Sequence, residues 1–113
     1  MDRLSKHVEI VKSVISEIYE NYIEGIENTE HILIQDEKHN NYLLLMNSWM
    51  HGSRFYGILI HMQVVENGLI YLHDDNTDLI VVDQLLEKGI AKKDIVIGWH
   101  EPSMRAETEF ATA

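Results

Sequence analysis

Phe55-Tyr56-Gly57-Ile58-Leu59-Ile60-His61-Met62-Gln63-Val64-Val65-Glu66-Asn67-Gly68-Leu69-Ile70-Tyr71-Leu72-His73 places two apolar runs on either side of an Asn-Gly pair. A type I′ hairpin needs positive φ at both central residues, and Asn-Gly is its strongest short-range signal. The segment therefore reads as two antiparallel strands, Phe55 to Val65 and Leu69 to His73. A turn at Asn67-Gly68 sets Val65 against Ile70, Val64 against Tyr71, Met62 against His73 and His61 against Asp74.

Upstream, Tyr42 to Trp49 is a further apolar and aromatic run, and His31 to Gln35 is a short strand candidate. Gly52-Ser53 can turn the hairpin that joins Trp49 to Phe55. That turn sets Trp49 against Tyr56, Asn47 against Ile58 and Leu45 against Ile60. One face of the sheet then carries Leu43, Leu45, Trp49, Tyr56, Ile58, Ile60, Met62 and Tyr71. The other carries Leu44, Met46, Phe55, Leu59, Ile70 and Leu72. An antiparallel sheet with one wet face should alternate cleanly, and this one is apolar on both. One helix covers one face, so the other needs later elements or a second subunit. A homodimer is the hypothesis that follows.

The flanks read as helices. Leu4, Val8, Val11, Ile15, Ile18 and Tyr22 recur at steps of four and three, one stripe of a 3.6-residue period. Asp2 can cap that helix and Gly25 can end it, with Glu9, Lys12, Glu17 and Glu20 facing water. A second helix opens at Thr77-Asp78, buries Leu79, Val82, Leu85 and Leu86, and stops at Gly89, with Ile90 closing the cap. Ile95-Val96-Ile97 is a short buried strand. The tail from His100 is irregular, anchored by Trp99, Pro102 and Phe110. The expected architecture is α+β in one domain, 1–113: a helix, a meander of about four strands, a second helix, a short strand and a tail.

Charge narrows the function. Nine basic against nineteen acidic residues give a formal charge of −10. Nonspecific affinity for nucleic acid comes mainly from Lys and Arg, so direct nucleic-acid binding is disfavoured. An acidic surface instead suits solvent or a basic protein partner. The chain has no cysteine, which removes disulfides and thiolate metal sites. No apolar run approaches the ~20 residues of a membrane helix, and no leader peptide is visible, so the expected compartment is the cytoplasm.

No complete catalytic motif is present. The seven histidines (His7, His31, His39, His51, His61, His73, His100) include no HExxH pair, so no metal or other cofactor is expected. His61 opposite Asp74 could orient an imidazole for acid–base work, though a structural cross-strand pair explains it more simply. Asp74-Asp75-Asn76-Thr77-Asp78 begins like a calcium loop, but Leu79 and Leu85 stand where glycine and glutamate belong. A capping turn is the better reading. Trp49 and Trp99 read as core or interface anchors. Arg54 and Arg105 pair with local carboxylates or anchor a partner.

Nearly the whole chain resembles the XisI family, the fdxN-element excision controlling factors. The residues that carry the resemblance are Met1-Asp2-Arg3-Leu4, Tyr42-Leu43-Leu44-Leu45 with Trp49, and Arg54-Gly57-His61. Further on they are Thr77-Asp78, Gly89-Ile90, Asp94-Ile95-Val96, Gly98, His100, Pro102, Arg105 and Thr108-Glu109-Phe110-Ala111. Tyr71 stands where the family commonly has tryptophan, His73-Asp74 where it tends to have glutamines, and Ala91 where proline is frequent. The resemblance implies an accessory protein of cyanobacterial site-specific DNA excision. Such a protein is not an enzyme and has no accepted catalytic residues. It works by protein–protein interaction with a XisH-like, nuclease-related partner and through it a recombinase complex. The interaction candidates are Trp49, Arg54, His61, Thr77, Asp78, Trp99, His100, Pro102, Arg105, Thr108, Glu109 and Phe110. The competing readings are a direct DNA-binding factor, which needs Arg54, Arg105, Lys92 and Lys93 to cluster, and a small hydrolase using His61 and Asp74 with His100.

Overall fold

The structure, a computed structural model, describes residues 2–21 and 27–112. Its elements are α1 (Arg3–Asn21), β1 (Thr29–Asp36), β2 (Asn41–Met50), β3 (Ser53–Val64), β4 (Ile70–Asp75), α2 (Val81–Glu87) and β5 (Ile95–Ile97). Short 3-10 turns occupy Lys92–Asp94 and Pro102–Glu107. The class is α+β, as expected. The strands lie in chain order, β1-β2-β3-β4-β5. The first four form an antiparallel meander. β5 returns parallel to β4, which requires the crossover that α2 supplies.

The β2–β3 hairpin turns one residue earlier than expected, and the β3–β4 loop turns at Asn67-Gly68 but is one residue longer. The β2–β3 turn is His51-Gly52, where φ is 52° and 79°. Met50 pairs with Ser53, Trp49 with Arg54, Asn47 with Tyr56 and Leu45 with Ile58. This is the geometry expected of Asn67-Gly68, achieved instead by a histidine in the left-handed region. In the β3–β4 loop only Gly68 has positive φ, 89°. Val65 C=O accepts from Gly68 N–H at 2.8 Å, and Val65 N–H donates to Leu69 C=O at 3.0 Å. The loop is therefore a three-residue turn closing on a left-handed glycine, and Val64 pairs with Ile70 and Met62 with Leu72. The expected pairs of Val65 with Ile70, Val64 with Tyr71 and Met62 with His73 are displaced by one residue.

Two bulges then reset the pattern. The β3–β4 register shifts between His61 and Met62, leaving His73 as the extra residue and restoring His61 opposite Asp74. The β2–β3 register shifts at Leu44/Leu45, leaving Leu59 extra. A one-residue insertion moves every later side chain to the other face. Ile60 and Met62, expected beside Ile58, thus join the opposite face. Asn76 secures this bulge, donating its N–H to Leu59 C=O at 2.7 Å and its side-chain amide to Ile58 C=O at 2.9 Å.

After these corrections one face carries Tyr42, Leu44, Ile60, Met62, Val64, Ile70, Leu72, Ile95 and Ile97, all buried. α1 seals it with Val11, Val14, Ile15 and Ile18, and α2 with Val81 and Leu85. Burying each such aliphatic side chain contributes roughly 1.5–3 kcal/mol, which holds the two layers together. Asp2 caps α1 by accepting from Ser5 N–H at 2.7 Å. The expected end of this helix, Tyr22 and Gly25, lies outside the described residues. His7 is buried and its Nδ1 meets Gly68 C=O at 2.6 Å, tying α1 to the β3–β4 turn.

α2 starts later than Thr77-Asp78. Ile80 takes φ 51° before the helix, and the cap is Asp75, whose carboxylate accepts from Val81 N–H at 2.9 Å. Thr77 donates its hydroxyl to the same carboxylate at 2.6 Å. The other end is as expected. Gly89 has φ 96°, Ile90 N–H donates to Leu85 C=O at 3.1 Å, and Ile90 is buried.

The second face divides in two. At the β4–β5 end the tail crosses it: Ala111 N–H donates to Ile95 C=O at 2.8 Å, and Leu69, Val96 and Ala111 form a small second core with Val65 and Tyr71. Gly98 permits the end of β5 to lie close against β4, because a Cβ there would stand 2.8 Å from both Leu72 O and His73 Cα. At the β1–β3 end no described element lies over the face. Ile34, Trp49, Tyr56 and Ile58 are exposed there.

Candidate functional site

The C-terminal motif residues prove to be the fastenings of the tail. Pro102 opens the 3-10 turn. Arg105 Nε donates to His100 C=O at 3.1 Å. Thr108 donates its hydroxyl to Arg105 C=O at 2.9 Å and accepts from Phe110 N–H at 3.2 Å. Glu109 meets Lys92 Nζ at 2.6 Å, and this lysine hangs 5.9 Å from the Phe110 ring centre. Phe110 is half-buried against the main core, so the tail is docked. Trp99, expected to anchor it, is 55% exposed with its ring edge-on to His100. Thr77 is spent on the Asp75 cap, and Asp78 faces solvent.

His61 and Asp74 are opposite each other, as expected, but no side-chain hydrogen bond joins them among the described residues. The side-chain partner of His61 is Asn41, with Nε2 at 2.9 Å from Oδ1. His73, put on this face by the bulge, bonds Gln63 in the same way at 3.0 Å. The two imidazoles lie 4.6 Å apart, and the Tyr71 ring is 5.6 Å from His73. Burial holds both rings below the ordinary imidazole pKa. The neighbouring His73 lowers His61 further while Asp74 partly offsets this, and Arg105 lowers His73. Each ring is held in place by an amide side chain, Asn41 for His61 and Gln63 for His73. His100 is engaged with Trp99 at the tail. Among the described residues no group of three or more His, Cys, Asp or Glu side chains could hold a metal ion. None of the described helices is long and apolar enough to cross a membrane.

The cations that DNA binding would need do not form one patch. Lys92 is paired with Glu109, and Arg105 serves the tail. Arg54 stands at the far end of the sheet, beside the β2–β3 turn. It bonds Asn47 Oδ1 at 2.9 Å and lies 4.6 Å over the Tyr56 ring, a cation–π contact in place of the expected carboxylate.

That hairpin end is the most distinctive surface. Trp49 (54%), Met50 (64%), Phe55 (49%) and Tyr56 (55%) are all exposed on it. Met46, Ser48, Met50, His51, Ser53, Arg54 and Phe55 line a concavity on the helix side. Trp49, Arg54, Tyr56 and Ile58 lie on the other side. Aromatic residues, Met and Arg are the residues enriched in protein–protein interfaces. Trp49 and Arg54 were legible from sequence. Met50, Phe55 and Tyr56 were not, because exposure depends on what lies over a strand and not on its own residues.

The structure is thus a small α+β fold with His61 and His73 bonded to amide side chains and with Trp49, Met50, Phe55 and Tyr56 exposed on one hairpin. The chain belongs to the XisI family: the family model for XisI protein matches residues 1–112. Among solved structures it is similar to the fdxN element excision controlling factor XisI from Anabaena variabilis. That structure is 34% identical, with 99% of this chain and 100% of that one covered and a TM-score of 0.82. It is also similar to a XisI-like protein from the same organism, 29% identical, covering 97% and 99%, with a TM-score of 0.87. A search of curated protein sequences finds no match.

Proposed function

We propose that this chain is a non-enzymatic accessory factor in the control of DNA-element excision, acting by binding another protein through the β2–β3 hairpin. The observation that carries the reading is the display of Trp49, Met50, Phe55 and Tyr56 around Arg54 on one hairpin. Large exposed apolar groups cost solubility, and a set of them on one projection suits a surface that is covered in use. The excision role is supported by the similar Anabaena variabilis XisI. The partner fits a basic, DNA-handling protein, for which the XisH-like proteins implied by the family are the first candidates. A charge of −10 steers the chain onto such a partner and away from bare DNA.

The test is a titration with a purified XisH-like protein. Trp49→Ala and Tyr56→Ala should each weaken binding by at least tenfold, as interface aromatic anchors do, while Trp99→Ala leaves it unchanged. Binding should weaken with added salt. Equal affinity in wild type and Trp49→Ala would remove the hairpin from the reading. Tight DNA binding by the chain alone would replace it.

A further inference from the structure

β1 is an edge strand that lacks most of the usual protections, its only charged residues being Glu30 and Asp36. It is eight residues long, Thr29–Asp36, and contains no proline and no lysine. Its register against β2 runs unbroken from Thr29↔Ser48 to Asp36↔Asn41, so no bulge twists it away. Natural sheets blunt their edges with these devices because a bare edge recruits another strand. The opposite edge of this same sheet shows the contrast. β5 is three residues long and the tail bonds to it through Ala111.

The hydrogen-bond phase of β1 tells which groups face outward. Trp49 N–H donates to Asn28 C=O at 3.0 Å, which marks that pair as hydrogen-bonded. Antiparallel pairs alternate, so Glu30, Ile32 and Ile34 point their peptide groups at β2. Thr29, His31, Leu33 and Gln35 point theirs away from the sheet. Among the described residues no backbone or side-chain group bonds to them.

We propose that β1 pairs antiparallel with β1 of a second copy, joining two five-stranded sheets about a two-fold axis through Ile32. The strand is its own complement in this register. Thr29 stands opposite Gln35, Glu30 opposite Ile34 and His31 opposite Leu33. The outward peptide groups then meet one another, and no carboxylate faces a carboxylate. The neighbouring symmetric register, centred on Leu33, sets Glu30 against Asp36, and like charges directly opposite are destabilising. Pairing about Ile32 keeps α1 on the same side of both sheets. It also brings the open apolar rows of Ile32, Ile34, Leu43 and Leu45 from two copies into one surface. The dimer is independent of the adaptor reading, since the hairpin lies at a different part of the sheet.

Sedimentation equilibrium of the full chain at micromolar concentration is the first readout. The expected mass is twice the 13.2 kDa protomer. Added salt should strengthen the dimer, because two chains of charge −10 repel until screened. That is opposite to the salt response expected for a basic partner, so the two readings fail separately. His31→Pro removes one outward N–H while sparing the β1–β2 ladder, and should give a folded protomer. Ile32→Cys keeps the test open if that variant does not fold. The chain has no cysteine of its own, and the two-fold places the new thiols on directly opposed residues of a close cross-strand pair. Mild oxidation should link Ile32→Cys into a dimer and leave Ile58→Cys unlinked. A wild-type chain that stays a protomer would overturn the proposal. So would a dimer that survives His31→Pro and resists linking through residue 32.

Discussion

Among the described residues, both faces of the sheet are covered at the β4–β5 end and only one at the β1–β3 end. α1 and α2 bury Ile70, Leu72, Ile95 and Ile97 from one side, and the tail buries Leu69 and Val96 from the other. At the far end the same helices bury Tyr42, Leu44 and Ile60, yet Ile58, Trp49 and Tyr56 face water. Both ends have apolar strands, so composition does not distinguish them. What differs is whether some element of the chain reaches each face. The covered end holds the core, and the open end leaves apolar side chains in contact with solvent.

The largest test of this contrast compares one core residue from each kind of face. Leu72→Ala should cost about 2–5 kcal/mol in a denaturant titration, because its surroundings are closed on both sides. Ile58→Ala, on a side chain already 37% exposed, should change stability by less than about 1 kcal/mol. Equal losses would mean that the open face is covered in solution.

A middle-sized effect belongs to the tail. Gly98→Ala drives a Cβ to 2.8 Å from the backbone of Leu72 and His73, which cannot retreat as a flexible side chain could. The expected cost is about 1–3 kcal/mol, with Val96 and Leu69 losing protection in amide exchange. An alanine variant as stable as wild type would show that the tail's seat adjusts, and would weaken the contrast between the two ends.

The smallest effect concerns the histidines of the sheet. Burial lowers the pKa of His31, His61 and His73 from 6.5. The unfolded chain therefore takes up these protons at a higher pH than the folded one. Stability is fully present above about pH 6.5 and declines as the pH falls through the unfolded value toward the folded ones. Thermal melts between pH 7.5 and 5 should show this slope, and His61→Gln with His73→Gln should flatten it. A slope unchanged in the double variant would assign the pH dependence to other groups.

The elements were legible where one local cause acts alone. The α1 stripe, the Asp2 cap, the Gly89 stop and the buried Ile95-Val96-Ile97 strand all follow from period, capping chemistry or a glycine. Register was less legible. Asn67-Gly68 did mark a turn, but a three-residue loop competes with the two-residue one. His51 carried no sign that it would take positive φ. The two bulges were invisible, and each reverses which face the following residues join. His61 opposite Asp74 was still recovered, since the loop shift and the β3–β4 bulge cancel at that pair.

The candidate site divides in the same way. The family motifs were readable as a set of residues, because they are a string of types in order. Their separation into a tail fastening (Arg105, Thr108, Glu109, Phe110) and an exposed hairpin (Trp49, Arg54) needed the fold. Side-chain pattern alone was enough for the class, the order of elements and the acidic character that argues against bare DNA. Tertiary structure decided which apolar face is core, which is open, and which edge strand is bare. Those are relations between distant segments, set by where two helices and a tail come to rest. A strand's own sequence carries its alternation, but it does not carry what lies above it.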